Sequence, residues 1–311
     1  MTTAYITHEA CLHHEMDPGH PEEPGRVRVI QDQLIAAGLF DYLSQHEAPE
    51  VTVEQLDRVH TRLHIEEIFA MAPSSGLVRI DPDTSMGPGT LPAALRSAGA
   101  GVLATDLVMA QEVENAFCNV RPPGHHAERD KAMGFCFFNN VAVAAAHAME
   151  VHGLKRVAIV DFDVHFGNGT EAIFADDERV MVCSTFEDNL YPFSPFATAS
   201  NRLINAPLYA GSKGYEFREA ISEIWLPSLR KFKPQMIFIS AGFDAHLEDD
   251  MAHLMLNQRD YAWVTEQIQE VADKYAKGRI VSMLEGGYAL GALARSVMEH
   301  VRVLMRLGGK V

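Results

Sequence analysis

The chain has 311 residues, enough for one large α/β domain or two small ones, and 47% of them are hydrophobic, so it can bury a sizeable core. With 26 Lys plus Arg against 42 Asp plus Glu, its formal net charge is −16, which opposes nonspecific binding to nucleic acid or an anionic membrane and favours a cationic substrate. The first residues lack the basic start and apolar core of a signal peptide, and no stretch reaches the roughly 18 apolar residues of a membrane span, so we expect a cytoplasmic protein.

Apolar or β-branched runs alternate with helix-like segments along the chain. The strand-like runs are residues 115–120, 157–160, 180–184, 236–240 and 280–284. The helix-like segments are residues 139–153, 216–232 and 258–278. Continuous apolar strands that alternate with helices are typical of a parallel sheet covered on both faces, so the pattern predicts an α/β fold. No repeat or linker marks a boundary, so we expect one domain over residues 1–311.

Chemically active residues follow four of the five predicted strands. The segments after them read RPPGHHAERDKAMGFCFFNN, DFDVHFGNG, AGFDAH and EGGYAL. In open parallel sheets, ligands collect at the carboxyl ends of the strands, and glycine and proline allow tight loops there. We therefore expect one cleft to contain His125, His126, Asp161, Asp163, His165, Asp244 and Tyr288.

Three of these residues have the pattern of a metal site. Asp163 and His165 are two apart on an extended chain, so their side chains point the same way, and Asp244 from another strand end completes a set of three. One nitrogen and two carboxylates suit zinc with an open fourth position, although Fe(II) or Co(II) would also accept them. A single aspartate often only caps a helix or turn, but the three together with the paired histidines favour a metal ion.

The adjacent pair His125 and His126 favours general acid and base chemistry, because neighbouring histidines on an extended loop do not readily share one metal. Asp161 and Asn168 are natural acceptors for their Nδ1–H groups. A carboxylate favours a charged ring, whereas a neutral amide leaves its partner near an ordinary pKa. The alternative is a structural pair of histidines in a turn.

Other ring-bearing residues have weaker patterns. The hydroxyl of Tyr288 is placed to donate to a developing oxyanion, although a Tyr that closes a turn is commoner. His60 and His64 lack the intervening glutamate of a zinc protease helix, so we expect them on a solvated face. His147 and His152 lie on or just past an alanine-rich helix, and we expect structural roles for them.

Five motifs in order, RPPGHHA, GFCFFNN, DFDVHFGNGT, AGFDAH and EGGY, resemble the histone deacetylase family, especially its class II-like bacterial members, related in fold to the arginases. HPEEPGRVRVI and DPDTSMGPGT look like two further signature loops of that family. The similarity spans roughly residues 7–291, nearly the whole chain.

The resemblance implies a single three-layer αβα arginase-like domain with an eight-stranded, mostly parallel sheet, and zinc-dependent removal of acyl groups from amines. By position it implies zinc ligands at Asp163, His165 and Asp244, catalytic residues at His125, His126 and Tyr288, and dyad-orienting residues at Asp161 and Asn168. It implies one Zn²⁺ per chain, with Fe²⁺ as the alternative native metal.

The resemblance also implies substrate contacts and a potassium ion. Gly134, Phe135 and Tyr191 match the substrate tunnel, where the two aromatics would wall an apolar passage, and Asp83 lies in a loop that often helps hold the substrate backbone. The matched potassium site consists of Asp161, Asp163, His165, Ser184 and Thr185, several through backbone oxygens.

This chain departs from the family pattern at three places. Phe166 stands where relatives usually have a second histidine, and we expect its ring to pack rather than to line the metal cleft. The rim segments LYPFSPFATAS and DDMAHLML lack the usual glycines, which affects substrate choice.

Three rival functions remain open at this point. The first is a deacetylase whose substrate is an acetyl-lysine peptide, an acetylpolyamine or another small amide. We expect no direct binding to nucleic acid or membrane, and the sequence is compatible with a homo-oligomer. A two-manganese ureohydrolase needs a third ligand near His165, where this chain has Phe166 and Gly167. A catalytically silent protein that binds acyl ligands would not need every matched residue.

Overall fold

A computed structural model describes residues 2–198 and 200–307 of the chain. The strands of the described residues are β1 Thr3–Thr7, β2 Ser44–Glu47, β3 Val78–Arg79, β4 Ser85–Met86, β5 Asn115–Cys118, β6 Val157–Asp161, β7 Val180–Glu187, β8 Leu203–Leu208, β9 Met236–Ala241 and β10 Ile280–Leu284. Their α-helices are α1 Gly25–Ala36, α2 Val53–Asp57, α3 Arg62–Met71, α4 Thr90–Met109, α5 Asn140–Glu150, α6 Asn168–Phe174, α7 Gly214–Ala220, α8 Leu226–Phe232, α9 Gln258–Tyr275 and α10 Leu290–Leu304.

Eight strands of the described residues form one sheet in the order β2-β1-β5-β10-β9-β6-β7-β8. Every neighbouring pair in it is parallel, which confirms the predicted parallel α/β fold. The short strands β3 and β4 pair separately as an antiparallel hairpin. Since parallel strands all point one way, the eight carboxyl ends share one edge of the sheet.

Helices cover both faces of the sheet and make it the middle of three layers. Successive residues of a strand point to opposite faces, so Val157 and Ile159 of β6 enter one hydrophobic core while Ala158 and Val160 enter the other. Helices α4 and α5 contribute to the first core, and α1, α9 and α10 to the second. The three-layer architecture expected from the sequence is therefore confirmed.

The predicted elements match the structure closely, although several boundaries shift by up to three residues and one helix is interrupted. The strand expected at residues 180–184 continues to Glu187. The helix expected over residues 216–232 is interrupted by a π-helical turn, Ile221–Trp225, between α7 and α8. The turn precedes Pro227, which lies in the first turn of α8. At that position the backbone N–H that proline lacks would have no acceptor within the helix.

The four central strands of the sheet, β5, β10, β9 and β6, are those followed by the chemically active segments. They lie side by side although the chain visits them far apart, and β10 enters last, between β5 and β9. Within residues 2–198 and 200–307, no helix combines the length and apolar character needed to cross a membrane.

Candidate active site

Three buried side chains bring potential metal-ligand atoms together beyond β6 and β9. Atoms of Asp163, His165 and Asp244 all lie within 4.8 Å of one another. The Nδ1 atom of His165 lies 3.0 Å from Oδ1 of Asp163 and 3.1 Å from Oδ2 of Asp244. The structure therefore places the three predicted ligands around one point.

Backbone amides hold the other oxygen of each carboxylate. The N–H of Gly286 donates to Oδ2 of Asp163 at 2.8 Å, and the N–H of Val164 donates to Oδ1 of Asp244 at 2.9 Å. Gly286 also leaves space for both groups, because a Cβ atom there would lie 2.1 Å from Oδ2 of Asp244 and 2.6 Å from Oδ2 of Asp163. The remaining carboxylate oxygens, Oδ1 of Asp163 and Oδ2 of Asp244, are thus directed at Nδ1 of His165.

The electrostatics of this cluster favour a bound cation. Burial and the nearby Asp163 carboxylate together raise the pKa of Asp244 to about 6. Burial alone would lower the pKa of His165, but hydrogen bonds to Asp163 and Asp244 raise it to about 10. A proton on Nδ1 thus sits between two carboxylate oxygens, where a divalent cation would replace it. The donor set fits zinc, as the sequence predicted.

The two predicted dyad histidines lie together, with ring centroids 4.1 Å apart. His125 Nδ1 lies 3.0 Å from Oδ2 of Asp161, and its Nε2 lies 3.8 Å from Oδ1 of Asp163. His126 Nδ1 lies 2.8 Å from Oδ1 of Asn168. Each histidine therefore has the partner that the sequence analysis assigned to it.

The Asn168 amide determines which nitrogen of His126 carries the proton. Its Nδ2 donates to Oε1 of Glu128 at 2.7 Å, so its Oδ1 faces His126 and accepts from Nδ1–H. The neutral ring then has its lone pair on Nε2. Glu128 was not identified from the sequence, because nothing in the pattern around it indicates the contact.

The two histidines differ in charge preference. Burial alone would lower the pKa of His125, but the carboxylates of Asp163 and Asp161 raise it well above its usual range. Burial, with the charges of His125 and His165, lowers the pKa of His126 well below its usual range. The neutral Asn168 partner predicted an ordinary pKa for His126, but the burial of the ring lowers it.

Tyr288 lies at the end of the turn after β10 and is braced from two sides. Asp249 Oδ2 accepts from the backbone N–H groups of Tyr288 and Ala289 at 2.6 and 2.9 Å. The Arg26 guanidinium lies 4.8 Å from the Tyr288 ring centroid and donates to the carbonyl of Gly287 at 2.7 Å. Burial raises the pKa of Tyr288 well above its usual range, so its hydroxyl keeps its proton.

Aromatic rings form a wall beside the cluster. The Phe135 ring lies 5.9 Å from that of Tyr288, and the Tyr191 ring lies 5.2 Å from that of His126. Gly134 has a φ of +56°, and a Cβ there would lie 2.5 Å from Cδ2 of His126. Only glycine thus allows this close approach of the backbone to the dyad.

The hairpin of β3 and β4 joins this wall through Asp83 and Thr84. Thr84 Oγ1 accepts from the N–H of Phe135 at 3.0 Å, and His20 Nε2 donates to the carbonyl of Asp83 at 3.1 Å. Burial and the neighbouring Asp81 raise the pKa of Asp83 to about 6. The two signature loops that contain His20 and Asp83 therefore meet at the rim.

Two of the residues predicted for potassium pair between β6 and β7. Asp161 and Ser184 are register partners on β6 and β7. The Ser184 hydroxyl oxygen is buried and has no hydrogen-bond partner among the described residues. A buried hydroxyl without a partner is a group that a cation would satisfy, so the residues fit the predicted ion.

The packing of two groups of side chains was predicted from the sequence, correctly for Phe166 and wrongly for His60 and His64. Phe166 packs against Phe186 and Phe196, with ring centroids 4.9 and 5.8 Å away, as expected. The predicted solvated face for His60 and His64 is wrong, because both are buried, with exposures of 2% and 3%. His60 instead links two loops, bonding to the carbonyl of Glu128 and accepting from the N–H of Asn139.

Glu285 is a buried carboxylate beside the dyad that the sequence analysis did not assign. Its Oε2 accepts from the N–H groups of Gly124 at 2.7 Å and His125 at 3.2 Å, and its Oε1 accepts from Ser240 at 3.1 Å. Burial raises the pKa of Glu285 to about 7. The EGGY motif indicated a role for this residue, but the contact of its side chain with the loop of Gly124 and His125 is apparent only in the folded structure.

We expect Glu285→Ala to lower kcat about tenfold, because the N–H groups of Gly124 and His125 would lose their buried acceptor. Glu285→Gln should keep most activity, since an amide oxygen can accept from the same donors. Steady-state kinetics with a metal count per chain would check this. Equal loss in both variants would mean that the charge, rather than the hydrogen bonds, is what the dyad loop needs.

Comparisons with known proteins agree on one family. The family model described as "Histone deacetylase domain" matches residues 20–304. A histone deacetylase-like amidohydrolase of Pseudomonas aeruginosa is 35% identical over 92% of this chain and 82% of its own length. The human polyamine deacetylase HDAC10 is 32% identical over 98% of this chain and 48% of its own length. The crystal structure of the HDA15 HD domain superposes with a TM-score of 0.91 at 32% identity, covering 98% of this chain and 88% of that one.

Proposed function

The chain belongs to the histone deacetylase family of deacetylases and amidohydrolases, and from that premise we propose that it hydrolyses the amide of an acylated lysine or a related acyl-amine with one zinc ion. The observation that carries the proposal is the convergence of a three-ligand cluster, a histidine dyad and a tyrosine beyond four neighbouring strands. We also propose that residues 1–311 form one catalytic domain. The cytoplasmic location remains a prediction from the sequence.

The zinc ion would be held by Asp163, His165 and Asp244. The potassium ion would be held by Asp161, Ser184 and their neighbours. When bound, zinc would supply Lewis-acid polarisation of the amide carbonyl and a lower pKa for water. The three ligand residues have exposures of 1%, 7% and 1%, so the reacting bond would be shielded from bulk solvent.

The dyad would move the protons. His126, neutral and with its Nε2 lone pair free, would take a proton from the attacking water. His125, held charged by Asp161 and Asp163, would stabilise the resulting negative charge. A protonated histidine of the dyad would then give a proton to the leaving amine, so no acyl-enzyme is needed.

The Tyr288 hydroxyl would donate a hydrogen bond to the oxyanion that forms when water attacks. We expect Tyr288→Phe to lower kcat about a hundredfold with little change in KM, because the lost donor acts mainly in the transition state. Steady-state kinetics would check this, with Tyr215→Phe on the exposed surface as the matched control. Unchanged kcat in Tyr288→Phe would remove the tyrosine from the mechanism.

The substrate would carry a positive charge close to the rim. The net charge of −16 and the exposed Asp83 near Tyr191 both favour a cation there. The similarity to the human polyamine deacetylase supports an acetylpolyamine as the second candidate beside acetyl-lysine.

Asp83 gives this proposal a pH dependence. Because its pKa is about 6, its carboxylate is charged above that pH and neutral below it, so attraction to a cation is lost as the pH falls. We expect KM for a cationic acyl-amine to rise a few-fold between pH 7 and pH 5. Asp83→Asn should show a high, flat KM over the same range. A parallel pH response in both proteins would exclude Asp83.

The proposed function is tested by assaying the zinc-loaded protein against acetyl-lysine peptides, acetylpolyamines and longer acyl chains, with the bound metal counted. Turnover of one class with a single zinc supports the proposal and names the substrate. Two metal ions bound together at the cluster of Asp163, His165 and Asp244 would favour the ureohydrolase alternative, although Phe166 is packed into an aromatic cluster and offers no third ligand. No turnover of any substrate would favour a binding protein.

A further inference from the structure

A second cluster of ligand-type side chains lies where the end of α5 meets α4. Asp106 belongs to α4, His147 to α5, and His152 follows α5. The Nε2 atoms of His147 and His152 lie 2.8 and 2.7 Å from the same atom, Oδ1 of Asp106. His152 precedes β6 whereas the candidate active site follows it, so the length of this strand, about 16 Å, separates the two.

We propose that Asp106, His147 and His152 form a second site, which binds a divalent transition-metal ion such as Ni²⁺ or Zn²⁺. Their ligand atoms all lie within 4.8 Å of one another, and two imidazole nitrogens with one carboxylate oxygen are a donor set that these ions prefer. The site is open to solvent on one side, because the Asp106 side chain is 48% exposed and that of His152 23%. His147, 6% exposed, provides the fixed ligand.

Arg58 controls the protonation of this site. Its Nη1 lies 3.0 Å from Nδ1 of His147, and a guanidinium can only donate, so Nδ1 carries the lone pair and the proton is on Nε2. Binding of a metal ion at Nε2 would move that proton to Nδ1, directly against the Arg58 donor. Arg58 must then turn away, towards Glu54, whose Oε1 already lies 3.5 Å from Nη2 of Arg58. Arg58 therefore competes with the metal ion and weakens the site.

His152 has no such obstacle. Within the described residues, no donor or acceptor contacts its Nδ1, so its proton can move there without losing a partner. The bound ion would tie α4 to the end of α5. We therefore expect metal binding to raise the melting temperature of the protein without changing kcat.

The test is a calorimetric titration with Ni²⁺ of holoenzyme prepared with one equivalent of zinc per chain, while the retained zinc is measured. We expect one equivalent of Ni²⁺ to bind wild type. His152→Gln should weaken binding at least about tenfold, and Arg58→Gln should tighten it about tenfold, because the glutamine oxygen can accept from Nδ1–H. His253→Gln is the matched control, because His253 contacts one carboxylate, that of Glu187 at 2.8 Å, without a second imidazole.

The outcomes distinguish a metal-binding site from three side chains that only hydrogen-bond to one another. No bound Ni²⁺, or Ni²⁺ binding that His152→Gln leaves unchanged, overturns the proposal. An unchanged affinity in Arg58→Gln overturns the competition with the guanidinium. If His152→Gln unfolds, Asp106→Asn replaces it, since the amide oxygen still accepts from both histidines but is a poor ligand. None of these readouts depends on deacetylase activity.

Discussion

Gly286→Ala is expected to prevent metal binding and to lower kcat/KM about a thousandfold, while the protein stays folded. An alanine Cβ at this position would lie 2.1 Å from Oδ2 of Asp244 and 2.6 Å from Oδ2 of Asp163, so both carboxylates must move. The backbone of Gly286 is not in the left-handed region, so the substitution strains the site and not the chain. Metal content, circular dichroism and kinetics would measure the three effects.

Gly291→Ala is the matched control for this experiment. Its Cβ would meet only the end of the flexible Arg295 side chain at 3.3 Å, inside helix α10. Alanine is the better helix former there by up to about 1 kcal/mol, so this variant should bind metal and melt at an equal or higher temperature. A metal-replete, active Gly286→Ala protein would show that the carboxylates do not need their present positions.

His126→Ala is expected to lower kcat by about a thousandfold or more, because it removes the only group with a free lone pair assigned to accept the proton of water. The metal content should stay at one per chain, since His126 is outside the ligand cluster. Added imidazole should restore part of the activity by occupying the space left by the ring. Single-turnover kinetics would show whether the chemical step is the one affected.

Asn168→Ala is a comparison variant in which we expect a smaller loss of kcat than in His126→Ala. It keeps the imidazole but removes the acceptor that fixes its tautomer, 2.8 Å away, so we expect a smaller loss, about tenfold. Rescue by imidazole should be absent in this variant. If His126→Ala retained more than a tenth of the wild-type kcat, the role of general base would belong to another residue, with His125 the first to test.

The four strands that carry the site could be predicted because the sequence is mostly apolar along them and changes abruptly near their ends. Strand β6 is buried at all five positions and then meets Asp163 and His165. The edge strands could not be read in this way. Strand β2, SQHE, alternates between partly buried and exposed residues, and β8 contains Pro207 on an edge that tolerates the missing N–H.

The candidate ligands could be named from the sequence, but the residues that position them could not. Gly286 and Glu285 act on partners 123 and 161 residues away, at Asp163 and Gly124. No periodicity reports which strands become neighbours across such distances. The burial of His60 and His64 was missed for the same reason, since the loops that cover them come from elsewhere in the chain.

The central place of β10 has a consequence for how the protein is made. Residues 280–284 are the last strand of the sheet to be synthesised, yet they fill the gap between β5 and β9. Until they emerge from the ribosome, two inner edges of the sheet have unpaired backbone groups, and such edges invite pairing with other chains. The nascent protein therefore passes through a stage with two exposed inner sheet edges, and its candidate active site is complete only after β10 has paired with β5 and β9.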